Sequence, residues 1–168
     1  MADILLLVLL IVHVTSIVAW LGGAVLFVSV VSPSLRNISP AARGEFITSA
    51  LPRYFRFVTG SSIIAIVAGL ILYGYITSAA TSPSPSSNSL ISIQIGAVLG
   101  LVALIILFGV AMPAGRKLVT LTKEMAKTSD EKKGGQAANL QKRMVMGGRL
   151  GVALLTLTLI LMVVGAEI

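Results

Sequence analysis

The chain has no cysteine among its 168 residues. Disulfides, thiolate metal cages and cysteine nucleophiles are therefore excluded from its chemistry. Acidic side chains are scarce too, six Asp and Glu against thirteen Lys and Arg. None is paired within an apolar stretch, so a buried carboxylate relay is lacking. Histidine occurs once, as His13, so no two histidines at helical spacing mark a haem or zinc site on one helix. No phosphate loop and no hydrolase motif is present. Conventional enzymology has little residue chemistry to stand on here.

Apolar residues are what the chain has in abundance, at 56%. A spanning helix needs roughly 20 mainly apolar residues, and four stretches qualify: 4–32, 57–80, 89–114 and 146–166. Four buried soluble helices would leave too little polar surface to cover them. The expected fold is all-α, a single four-helix transmembrane domain whose first partner is the lipid bilayer.

All thirteen basic residues fall within 36–56 and 116–149. The N-terminus, the segment around 78–89 and the C-terminus have none. The positive-inside rule then places the basic segments, 33–56 and 115–145, in the cytoplasm and both termini outside. The net charge of +7 needs no nucleic acid to explain it, because no aromatic stacking set accompanies the dispersed basic residues. Asp3 opens the chain where a signal peptide would carry basic residues, and no small-x-small cleavage site follows. Residues 4–32 are thus expected to be a retained first helix.

Punctuation is legible along the chain. Pro33 stops or kinks helix 1. Ser39-Pro40 is a good helix start, predicting a short interfacial helix over about 40–51 that Pro52 separates from helix 2. The Ser-rich segment Ser78 to Ser89, with Pro83 and Pro85, predicts an uncharged outer loop. Leu118, Leu121 and Met125 recur at helical spacing among lysines, predicting an extension of helix 3 along the inner surface. The expected tip is Ser129 to Gly135, including Gly134-Gly135, followed by a second extension into helix 4. Val30-x-x-Pro33-x-x-Arg36 after helix 1 matches Val110-x-x-Pro113-x-x-Arg116 after helix 3. That echo is either a parallel internal repeat or the recurrence of proline and arginine at inner helix ends.

His13 lies about 13 Å below the outer end of helix 1 at 1.5 Å per residue. Ionisable side chains at such depth face the bundle interior and are functional candidates by default. Neutral imidazole ligates haem iron, copper or zinc, and it can equally hydrogen-bond a neighbouring helix. Trp20, seven residues on, shares its face. Gly22 and Gly23 follow, and Ala65/Gly69, Gly96/Gly100 and Gly147/Gly151 are spaced by four, the usual device for close helix packing. Depth matching brings Tyr73, Gln94 and Met162 to the level of His13. Gln94 could hydrogen-bond the second imidazole nitrogen, and Met162 could be a soft ligand. Arg149, slightly inside helix 4, snorkels to headgroups or pairs with Glu45.

The pattern His13-x6-Trp20-x-Gly22-Gly23, then Pro33, resembles the opening of CopD-like copper-resistance membrane domains and of the related four-helix HemJ-type proteins. Arg56-x-x-Thr59-Gly60, Met112-Pro113 and Arg143 follow the same outline. The resemblance implies a helical bundle whose first-helix histidine binds copper or haem b. HemJ-type proteins oxidise protoporphyrinogen and resemble one another in a lysine near the start of helix 3. Here that region reads Ile93-Gln94-Ile95, a departure that points away from that reaction.

Two functions follow as expectations. One is a small redox or metal-handling membrane protein with His13 on haem b or copper, assisted by Trp20, Gln94, Tyr73 and Met162. With one histidine, two-histidine ligation requires a homo-oligomer in which two His13 side chains meet. The other is a cofactor-free accessory or scaffold subunit of a larger membrane complex.

Overall fold

The computed structural model describes residues 2–78, 87–127 and 131–167. The expected outer turn around Pro83 and Pro85, and Ser129-Asp130 of the expected tip, lie outside the described residues. The elements in order are α1 (Ala2–Leu26), a π-helical turn (Phe27–Val31), α2 (Ser32–Ser34), α3 (Pro40–Thr77), α4 (Ser87–Ile106), a second π-helical turn (Leu107–Ala111), α5 (Met112–Met125) and α6 (Glu131–Glu167). No strand occurs among the described residues. Four helical runs are long and apolar enough to cross a bilayer, Ile4–Ser34, Pro40–Thr77, Asn88–Met125 and Lys133–Gly165. The protein is an all-α four-helix transmembrane bundle, multi-pass in the membrane.

The bundle is two hairpins. α1 packs along α3 and α4 along α6; the hairpins meet where α5 contacts α3 and where α1 contacts α6. Each hairpin carries the same device at the same register. The π turn begins six residues before its proline, 27 to 33 and 107 to 113, and closes with i→i+5 bonds from the N–H of Ser32 to Phe27 O and of Met112 to Leu107 O. Proline cannot donate to the carbonyl four residues back, and its ring collides with it. Widening the preceding turn relieves that collision without ending the helix. The Val-x-x-Pro-x-x-Arg echo is thus matched by a structural one.

Two helices run further than the sequence punctuation predicts. Ser39 caps α3 as expected, its hydroxyl accepting from the Ala42 N–H at 3.3 Å. But α3 continues through Pro52 for 38 residues. The face carrying Ile47, Leu51, Phe55 and Val58 is buried on both sides of the proline, so packing overrides a break worth about 3 kcal/mol. Gly134 and Gly135 fall inside α6, not in a tip. Ala137 and Leu140, in the next turns, pack against the core and draw the helix back through the glycines, each about 1 kcal/mol worse than alanine. α5 follows its π turn directly as the expected extension, with Leu118 fully buried. At 1.5 Å per residue, α3 is about 57 Å long, nearly twice the ~30 Å hydrocarbon core.

Two cores result. One lies in the apolar half and joins Ile17, Trp20, Val58, Ala65, Ala103 and Leu155. The other lies toward the basic end, where Phe27, Leu51, Phe55, Met112, Leu118 and Met144 meet. The first π turn aims Phe27 at Tyr54, the rings stacking at 4.5 Å and 17°.

Candidate functional site

His13 is 9% exposed and faces α3. Its Nδ1 lies 2.8 Å from the Ala65 carbonyl oxygen. A carbonyl only accepts, so Nδ1 carries a proton, and in the neutral ring Nε2 keeps its lone pair. The ring fits because Gly69, four residues further along α3, has no side chain: a Cβ there would meet Cε1 at 2.5 Å and Nδ1 at 2.9 Å. The Ala65/Gly69 pair, read from sequence as generic small-residue packing, is specifically the seat of this histidine. The second hairpin has the same seat with a different occupant. A Cβ on Gly165 would meet Ile93 Cγ1 at 2.9 Å and the Ser89 carbonyl at 3.0 Å.

Trp20 is buried beside Ala65 in the same core, on the His13 face. It lines a cavity of ≈ 40 Å³ between the hairpins, together with Phe27, Tyr54, Met144, Gly147 and Gly151. That volume holds about one water molecule. The remaining depth-matched residues turn elsewhere. Gln94 Nε2 donates to Tyr73 Oη at 2.6 Å, joining α4 to α3 at an exposed position. Met162 rests its Cγ 3.3 Å from where a Gly96 Cβ would stand, inside the α4–α6 hairpin. Arg149 is exposed and does not pair with Glu45; the salt bridge among the described residues is Lys133–Glu124 at 3.3 Å.

Three other buried hydroxyls are spent on backbone. Ser61 donates to Val58 O, Ser62 to Thr59 O and Ser89 to Gly165 O across the second hairpin. Thr158 Oγ1, by contrast, is buried between α4 and α6 with no hydrogen-bond partner among the described residues. Nothing in the sequence pattern singles it out, because its isolation follows from the close approach at Gly96 and Gly100.

Among the described residues of one chain, few donors stand near His13 for the groups that the family resemblance implies. A tetrapyrrole needs a pocket on the order of 300 Å³ or more, far beyond the cavity beside Trp20. Among the described residues no three His, Cys, Asp or Glu side chains converge. His13 Nε2 is a single donor. Tyr73 is engaged by Gln94, and Met162 is packed on Gly96.

The fold and this interior define a class: a multi-pass membrane bundle of two like hairpins, with His13 seated in a notch between α1 and α3. The chain belongs to the family described as Domain of unknown function (DUF4149), whose model matches residues 15–126. The match takes in Trp20, Tyr73 and Gln94 and begins two residues after His13. No curated protein matches this chain, and no solved structure does.

Proposed function

We propose that this chain is a cofactor-free accessory or scaffold subunit of a larger membrane assembly, with its basic end in the cytoplasm and both termini outside. The observation that carries this reading is the second packed core toward the basic end. Lipid gives helices no hydrophobic reason to associate. Helices that run beyond the bilayer therefore need a buried core of their own. Leu51 and Leu118, each 1% exposed, help supply it, and it holds α3, α5 and α6 together as a platform. On that platform Lys117, Lys123, Lys127, Lys142 and Arg143 are exposed. A basic helical surface of this kind suits an acidic partner subunit, through complementary charge that sets specificity and encounter rate. The positive-inside rule supplies the orientation.

The experiment is site-specific photo-crosslinking from position 123 in native membranes. The expected result is one discrete adduct of fixed stoichiometry, a partner or a second copy. It should weaken in high salt and disappear on reversing Lys117, Lys123 and Lys142 to Glu. Absence of any discrete adduct would overturn the scaffold reading. The rival, haem or copper at His13, draws on the lone pair that a neutral ring keeps on Nε2 and on the resemblance to CopD-like and HemJ-type proteins. Absorption spectra of oxidised and dithionite-reduced protein, with metal analysis, test it. A Soret band or stoichiometric copper that vanishes in His13→Ala would replace the scaffold with a redox or metal-handling protein.

A further inference from the structure

A groove of ≈ 620 Å³ opens between α3 and α5, from opposite hairpins, where their apolar runs give way to basic segments. Its polar rim is Arg56 and Thr59 on α3 with Arg116 and Thr120 on α5, and Phe55 and Met112 give it an apolar floor. Both arginines are exposed, and among the described residues neither meets a carboxylate. Arg43, by contrast, is committed to backbone: its Nε donates to Leu35 O at 2.7 Å and Nη2 to Arg36 O at 3.2 Å, closing the end of α2.

From this we infer that the α3–α5 groove is a binding site for one anionic glycerophospholipid. Two arginines lining one groove from different helices suit the oxygens of a phosphate ester, which arginine binds in bidentate fashion. The hydroxyls of Thr59 and Thr120 stand on the same rim. Phe55 and Met112 are both largely buried, and their remaining apolar surface receives the start of an acyl chain. Basic pockets between transmembrane helices at the bilayer edge are where such headgroups are held. The volume falls within the usual range for small-ligand sites, ~300–1,000 Å³. A lipid seated there bridges the two hairpins, so binding stabilises the bundle by mass action. This inference goes beyond the scaffold reading and does not need a protein partner.

The test is native mass spectrometry of the detergent-purified protein, titrated with phosphatidylglycerol and with phosphatidylcholine. One phosphatidylglycerol should bind at least tenfold more tightly than phosphatidylcholine. Arg56→Gln and Arg116→Gln should each weaken it about tenfold, whereas Arg36→Gln and Lys123→Gln leave it unchanged. Gly60→Leu keeps both arginines and fills the groove. No atom lies within 4 Å of a Cβ at that position, so the variant folds, as its circular dichroism should record, and lipid binding is lost. Equal weakening by Arg36→Gln would reduce the effect to general surface charge and overturn the site. Unchanged binding in Gly60→Leu would overturn it independently. Displacement of the lipid by millimolar inorganic phosphate would assign the arginines to a soluble anion instead.

Discussion

Gly69→Ala should destabilise this protein even though alanine is the better helix former. The substitution gains up to about 1 kcal/mol in helix propensity. Against that, the new Cβ would stand 2.5 Å from His13 Cε1 and 2.9 Å from Nδ1, separations that non-bonded atoms do not tolerate. The ring must leave its seat. Overpacking of this kind costs about 1–3 kcal/mol, and the Nδ1–H···O=C Ala65 bond goes with it, worth about 0.6 kcal/mol on average between membrane helices. The net expectation is a loss of about 1–2 kcal/mol. In a His13→Ala background the ring is gone and only the propensity gain remains, so the same substitution should stabilise by about 0.5–1 kcal/mol. The sign inverts, and the cycle reports a coupling of roughly 2 kcal/mol between two residues 56 positions apart in the chain.

Reversible unfolding in mixed micelles, titrated with sodium dodecyl sulfate, measures it. The single tryptophan, Trp20, is 3% exposed in the same core and reports the transition by fluorescence, with helical circular dichroism as a second probe. If Gly69→Ala were neutral in the otherwise natural chain, or had the same sign in both backgrounds, His13 would not be seated on Gly69 and the packing account of the notch would be refuted.

Gly115→Ala should be more damaging than Gly69→Ala, because its Cβ would run into the Phe55 ring edge and 3.1 Å from Met144 Sδ, both within the core toward the basic end. A fall in midpoint equivalent to about 2–4 kcal/mol is expected in the same unfolding assay. Thr158→Val should be neutral or stabilising, by up to about 1 kcal/mol, since it replaces a buried unpaired hydroxyl with a methyl of the same shape; a loss would mean that the hydroxyl has a partner. His13→Ile should leave the bundle folded with a stability change below about 1.5 kcal/mol, as judged by the detergent titration, because isoleucine occupies the corresponding seat in the second hairpin.

What could be read from the sequence depended on whether one helix or two decides a feature. The spans, the basic asymmetry and the Ser39 cap are local, and residue order alone specifies them. Pro52 and Gly134-Gly135 misled because their local cost is outweighed by contacts between helices: the α3 face around Pro52 is buried, and Ala137 and Leu140 beyond the glycines pack against the core. The candidate site shows the same division. His13 and Trp20 stand out as rare residue types in an apolar run. Gly69, Thr158 and the pairing of Arg56 with Arg116 do not, because their character comes from a neighbour on another helix. Depth matching reached Tyr73, one turn beyond Gly69, and so found the right level of α3. It could not say which face of the helix the imidazole meets.

The two hairpins together bear on what His13 is for. Each carries a proline at the same distance behind a π turn, and each seats a first-helix side chain over a second-helix glycine. In the second hairpin that side chain is Ile93, so the notch as a shape needs no polar group. Burying an imidazole instead incurs desolvation, which the bond to Ala65 O offsets. If packing alone governed the position, an aliphatic residue would serve at least as well. The ring's distinct properties are a directional hydrogen bond to a chosen backbone carbonyl and a lone pair left on Nε2. The first fixes the register of α1 against α3, since a shift along the helix removes the acceptor and brings a side chain under the ring, whereas an isoleucine in a groove tolerates small slips. Register is what a scaffold must hold if α3 is to place Arg56 opposite Arg116, and under the scaffold function proposed above the hydrogen bond to α3, before any ligand on Nε2, is the reason for a histidine at position 13.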